Sequence, residues 1–154
     1  MKLSLISCLF ILQFTAVAQI YTPLKVVKGV VTFESTVDVI NLSAEEIHKR
    51  TELWMDSTFL AEPVITQNIP SRIMARFYQE YSKDAWSDSF QHILQIDIQD
   101  NRATFTITDT GLRLVREDGS WKENLSKMKV MFEQAANELF WSYSSSIQQS
   151  GSGK

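Results

Sequence analysis

The chain is poor in the residues that usually announce a site. It has one cysteine, three prolines, five glycines and two histidines in 154 residues. The single thiol, Cys8, lies in an apolar leader. Lys2 is followed by the apolar run Leu3–Phe14 and then by Ala16-Val17-Ala18, a small-x-small cleavage pattern,. Residues 1–18 therefore read as a secretory signal peptide cut before Gln19. The run is shorter than the roughly 20 apolar residues of a membrane span. Cleavage removes the thiol, which excludes a disulfide framework, a thiolate metal site and a cysteine nucleophile. An alternative takes Leu5-Ile6-Ser7-Cys8 as a lipoprotein site with Cys8 acylated. Too few residues precede that tetrad to form the apolar core of a signal.

Other absences narrow the function further. Gly151 and Gly153 sit in the tail, so little glycine is left for a phosphate-binding loop,. His48 and His92 without cysteine make a poor zinc site, and no Asp-x-Asp-x-Asp-Gly loop points to calcium,. We therefore expect no metal and no cofactor. The formal net charge is −3, and loss of Lys2 makes the mature chain one unit more negative. No basic run is present, which argues against nucleic acid as a partner.

What is present is a well-patterned fold. Val30–Val39 alternates with period two, with Val31, Phe33, Val37 and Val39 on one face,. Ser43 and Glu46 have the spacing of a reciprocal helix cap, and Leu42 with Ile47 that of a hydrophobic staple,. The following helix carries Ile47, Thr51, Trp54, Met55 and Thr58 on one stripe,. Residues 19–28 read as a flexible lead-in. Val64–Gln67 and Arg72–Tyr81 read as strands, and Ser82–Ser89 as a polar loop around Trp86. Phe90–Gln99 and Arg102–Asp109 flank Asp100-Asn101, a two-residue hairpin turn,. The register follows: Ile98 faces Ala103, Ile96 faces Phe105, and Leu94 faces Ile107. A slip of one residue would destroy that apolar sorting.

A short strand at Leu112–Arg116 can precede the turn at Asp118-Gly119. Asn124 can cap a last helix whose stripe runs through Met128, Phe132, Ala135, Ala136, Leu139, Phe140 and Tyr143,. Ser144-Ser145-Ser146 weakens its end, and residues 148–154 read as a flexible tail,. One domain over residues 29–147 results. Its order of strand, helix, four strands, helix fits an α+β architecture, an antiparallel sheet with both helices on one face and the other face open.

The chain resembles DUF4468, a family of exported bacterial domains of unknown function with a TBP-like fold. The resemblance rests on Gly29–Glu34, on Ser43-x-Glu45-Glu46-Ile47, on Trp54-Met55, and on Leu94-x-Ile96-x-Ile98-x-Asp100-x-Arg102-x-x-Phe105 closed by Thr108-Asp109. It covers roughly Val27–Tyr143. Asp100-Asn101 stands where the family more often has Asp-Gly, and Ala103 replaces a larger residue. The resemblance implies the TBP-like fold and a periplasmic, envelope or secreted location in a Gram-negative bacterium. It brings no catalytic residues.

Three constellations are candidates for function. The hairpin register pairs His92 with Asp109, which can orient an imidazole for general-base work or simply satisfy a buried polar pair. No nucleophile motif accompanies it, so a small hydrolase using His92 and Asp109 is the alternative to a non-enzymatic binding domain. The open sheet face is the second candidate, with Met74, Arg76 and Tyr78 among its residues. Its charges read as Glu34, Asp38, Glu80 and Asp97 against Arg76 alone, an acidic face that repels phosphate,. The third is the outer side of the last helix. Trp141 and Val130 lie far from Leu125 on the wheel, beside Lys127, Glu133 and Asn137, as an exposed interface anchor would,. The expected partner is a protein or envelope component, or a second copy of the chain.

Overall fold

A computed structural model of the protein describes residues 21–59, 62–83, 86–122 and 125–149. The expected signal peptide over residues 1–18, the side chain of Trp86, Asn124 and residues 150–154 lie outside the described residues. The elements are β1 (Lys25–Val27), β2 (Val30–Asp38), α1 (Ala44–Thr58), β3 (Val64–Ile69), β4 (Arg72–Lys83), β5 (Trp86–Gln99), β6 (Arg102–Asp109) and α2 (Ser126–Gln148). The strands form one antiparallel sheet in the order β1-β2-β6-β5-β4-β3. Both helices pack on the face that carries Phe33, Ile96 and Phe105.

Apolar alternation places the core. Phe33, Leu94, Ile96 and Phe105 are fully buried, and Trp54 and Phe132 reach them from the helices. Phe105 lies edge-on to Phe33 and Trp54 and tilted against Phe140 and Tyr143. The β5–β6 register is the expected one, with Ile98, Ile96 and Leu94 opposite Ala103, Phe105 and Ile107. Only Asn101 of the two turn residues takes a positive φ, at 63°. Asp100 has another task. Its Oδ1 accepts from the Ala44 amide at 2.7 Å, while the Asn101 amide donates to Leu42 O at 2.8 Å. The hairpin tip thus caps the start of α1 from outside the helix. Asp100→Ala should lower stability by about 1 kcal/mol, as loss of a helix cap does, read as a drop in the urea midpoint at constant slope.

Several sequence expectations need correction. Lys25–Val27, in the expected flexible lead-in, is an edge strand paired with Val30–Thr32. The expected loop Ser82–Ser89 is mostly strand: the β4–β5 ladder continues to Lys83 opposite Trp86. A ladder needs only backbone partners, so the polar composition there did not end it. The cap at Ser43 is one-sided. Ser43 Oγ accepts from the Glu46 amide, but Glu46 turns along the helix to Arg50. Ser144-Ser145-Ser146, read as weakening the helix end, lie inside α2, where Ile147 continues the apolar stripe and is fully buried. Arg50 holds that end through Ile147 O and Gln149 O. Tertiary contacts here override weak helix propensity.

Candidate functional site

The β5–β6 register brings His92 opposite Asp109, as expected. The surroundings differ from those of an open site. His92 is fully buried and Asp109 is 6% exposed. Phe132 from α2 stacks on the imidazole at 4.9 Å, and Phe77 and Tyr81 wall two other sides. Tyr81 OH lies 3.0 Å from His92 Nε2. His92 Nδ1 faces Asp109 Oδ1 at 3.8 Å, beyond hydrogen-bond reach, and is a buried nitrogen without a hydrogen-bond partner among the described residues,. Asp109 Oδ1 is occupied by the Gly111 and Leu112 amides, at 3.0 and 2.8 Å. The carboxylate therefore shapes the turn that leaves β6.

Burial governs the protonation here. It pulls His92 down to about 4, against the opposing pull of the Asp109 carboxylate,. The Tyr81 hydroxyl is pushed well up by its own burial and then by Asp109. At neutral pH the imidazole is uncharged. With its proton on Nδ1 toward the carboxylate, Nε2 accepts from the Tyr81 hydroxyl. A neutral tyrosine is the only hydroxyl bonded to His92 among the described residues.

The open sheet face presents a second arrangement. Cross-strand pairing sorts it into rows: Arg72, Asp97, Thr104 and Thr36; then Met74, Gln95, Thr106 and Glu34; then Arg76, Ile93, Thr108 and Thr32. The acidic character expected of this face is not what the structure shows. Lys25 pairs with Glu34 at 3.4 Å, Arg72 with Asp97, and Arg102 with Asp38 at 2.7 Å. Three cations at strand ends, left out of the sequence count, bring positive and negative side chains on this face into balance. On the β4–β5 half the character changes. Tyr78 is 67% exposed, Met74 and Ile93 are half-buried, and Val64 of β3 stands beside Arg76. Arg76 is exposed and makes no ion pair with the described residues.

The outer side of α2 does not match its helical-wheel picture. Val130 is exposed, but Trp141 is half-buried and packs against the edge of the core. Asn137, expected on the solvent side, is fully buried. The lead-in covers it: Asn137 accepts from the Thr22 amide at 2.8 Å and donates to Thr22 O at 2.9 Å. Glu133 accepts from the Leu24 amide at 3.3 Å. The centre of the buried stripe is Phe132, Ala136, Phe140, Tyr143 and Ile147, with Leu125 and Leu139 only partly covered. No sequence pattern marks the polar clamp at Asn137, because its partner is backbone.

Among the described residues no group of three or more histidine, cysteine, aspartate or glutamate side chains could hold a metal ion. No described helix is long and apolar enough to cross a membrane.

These features define a TBP-like α+β fold, and known structures share it. A TBP-like protein from Parabacteroides distasonis matches with a TM-score of 0.64 and 19% identity, over 85% of this chain and 99% of its own. A DUF4468 family protein from Bacteroides ovatus matches with a TM-score of 0.61 and 12% identity, over 87% of this chain and 96% of its own. Both agree with the resemblance seen in the sequence, and at these identities what they share with this chain is the fold. No family model matches the sequence, and no curated protein does.

Proposed function

We propose that the chain is an exported, non-enzymatic domain that binds a protein or envelope component through the β4–β5 half of its open sheet face. The carrying observation is the contrast across that face. Three ion pairs occupy much of its charge, whereas Tyr78, Met74 and Ile93 surround Arg76, a cation without an ionic partner among the described residues. Tyrosine and arginine are, with tryptophan, the residues enriched at binding hot spots. The balanced charge of the face offers no surplus of cations for a phosphate backbone. The non-enzymatic part of the reading rests on His92, whose imidazole is sealed by Phe132, Phe77 and Tyr81.

A photo-crosslinking residue at position 78, with a control at the exposed Lys49 of α1, tests the surface. One envelope component should crosslink from position 78 and not from 49, and Arg76→Glu should abolish it. Equal labelling from both positions, or none, would overturn the assignment. A broad hydrolase screen should show no turnover that His92→Ala removes. The export part rests on Leu3–Phe14 and Ala16-Val17-Ala18,. Mass spectrometry of the native protein should find Gln19 at the N-terminus; a chain starting at acylated Cys8 would make the protein a lipoprotein instead.

A further inference from the structure

The two edges of the sheet are built differently. Edge strands carry unpaired N–H and C=O groups, and proteins commonly protect them with charge, proline, short length or a covering segment. β1 has such protection: it is three residues long, begins at Lys25, is followed by Lys28, and meets the connection between β6 and α2 where Gly119 lies near Val26. β3 has almost none. Val64-Ile65-Thr66-Gln67-Asn68-Ile69 carries no charge and no proline, with Pro63 and Pro70 standing just outside it. Val64 is 62% exposed, Ile65 46% and Ile69 42%. No backbone bond outside the sheet's own ladders reaches these residues among those described.

We infer that β3 is a self-pairing edge, through which two copies of this chain join antiparallel across a two-fold axis. The bulge at Thr66 supplies the specificity. Val64 and Ile69 are five positions apart and would point to opposite faces of a regular strand. The register shift between Ile65 and Gln67 puts Val64 beside Arg76 and Ile69 beside Arg72, both on the open face. Ile65 and Asn68 stand beside Ala75 and Ile73, on the helix side. Antiparallel pairing of β3 with itself can then set Val64 against Ile69 of the second copy, and Ile65 against its Asn68. Val64, Ile65, Asn68 and Ile69 each keep their face, and the apolar contact occurs twice. β3 itself brings no charged side chain to the seam, and on the helix side its Asn68 donates to Glu52 of α1 at 2.8 Å,. An isologous two-fold contact of this kind is the commonest form of oligomer. Beside the seam, Leu53 of α1 and Ile65 border a cavity of about 360 Å³ that the second copy would adjoin. The inference is independent of the partner read from the open face.

Sedimentation velocity over a wide concentration range tests it. The wild-type chain should move from monomer to dimer as concentration rises. Val64→Glu/Ile69→Glu places acid against acid twice across the seam, while within one copy each new carboxylate lies beside an arginine. It should weaken association by about tenfold or more. Val64→Glu/Ile69→Lys places opposite charges across the same seam and should restore the dimer. A wild-type chain that stays monomeric throughout overturns the inference, as does a dimer indifferent to the first variant or unrestored by the second. If the first variant does not fold, hydrogen exchange on the wild type decides: β3 amides must gain protection with concentration, and no gain overturns the inference. A monomer that instead holds a foreign extended peptide on β3 also overturns the second-copy assignment.

Discussion

Phe105→Ala should cost about 3–5 kcal/mol of stability, the range for truncating a buried core aromatic. Four rings meet Phe105, from β2, α1 and the second half of α2: Phe33 at 6.2 Å, Trp54 at 6.0 Å, Phe140 at 5.7 Å and Tyr143 at 5.4 Å. Rings held by the sheet and both helices cannot all move inward to fill the space, so a cavity remains. Phe132→Ala should fall in the same range, and it also uncovers His92. The check is urea unfolding at neutral pH. A loss below about 1 kcal/mol at both positions would mean that the faces of the sheet are reversed.

The protein should lose stability on mild acidification, and His92 should account for much of the loss. Its folded value of about 4 lies below the ordinary 6.5 of the unfolded chain, because burial disfavours the imidazolium,. The unfolded state therefore takes up a proton first. The stabilising contribution is complete above pH 6.5 and is lost as pH falls toward 4. Full loss corresponds to about 3 kcal/mol, of which about 2 kcal/mol is gone by roughly pH 5. Groups facing the ring do not cancel this: Tyr81 stays neutral, and Asp109 lies 3.8 Å away with its Oδ1 held by backbone amides. Urea unfolding near pH 7 and near pH 5 should show the drop in wild type. In His92→Gln, which cannot titrate, the drop should shrink by about 2 kcal/mol. An equal drop in both proteins would place the acid sensitivity elsewhere.

The parts of this fold that were legible in the sequence are those set by neighbours in the chain. The β5–β6 hairpin is fixed by a two-residue turn and strict alternation, so His92 opposite Asp109 follows from arithmetic alone. The stripe of α1 is likewise local, and Ile47, Thr51, Trp54 and Met55 are all buried. What was not legible depends on distant backbone. β1 is too short to carry an alternation signal. Asn137 looks solvent-facing on a helical wheel, and nothing nearby says that Thr22 will lie across it. Arg72, Lys25 and Arg102 stand at strand ends, where register decides which carboxylate each one meets. The His92–Asp109 pair was visible as a pair, but its seal of Phe132 and Tyr81 comes from α2 and β4.

The clamp between Asn137 and Thr22 also bears on the order in which the chain can assemble. It joins positions 115 residues apart. β2 likewise finds its inner neighbour only in β6, and Phe33 meets Phe140 near the far end of the chain. No amino-terminal fragment short of α2 can close this core. Contacts of such long range are slow to form, because a large loop must be closed before any of them is gained. On the export reading proposed above, this delay is useful. The emerging chain stays open until its last helix is available, and the finished sheet then locks both ends together.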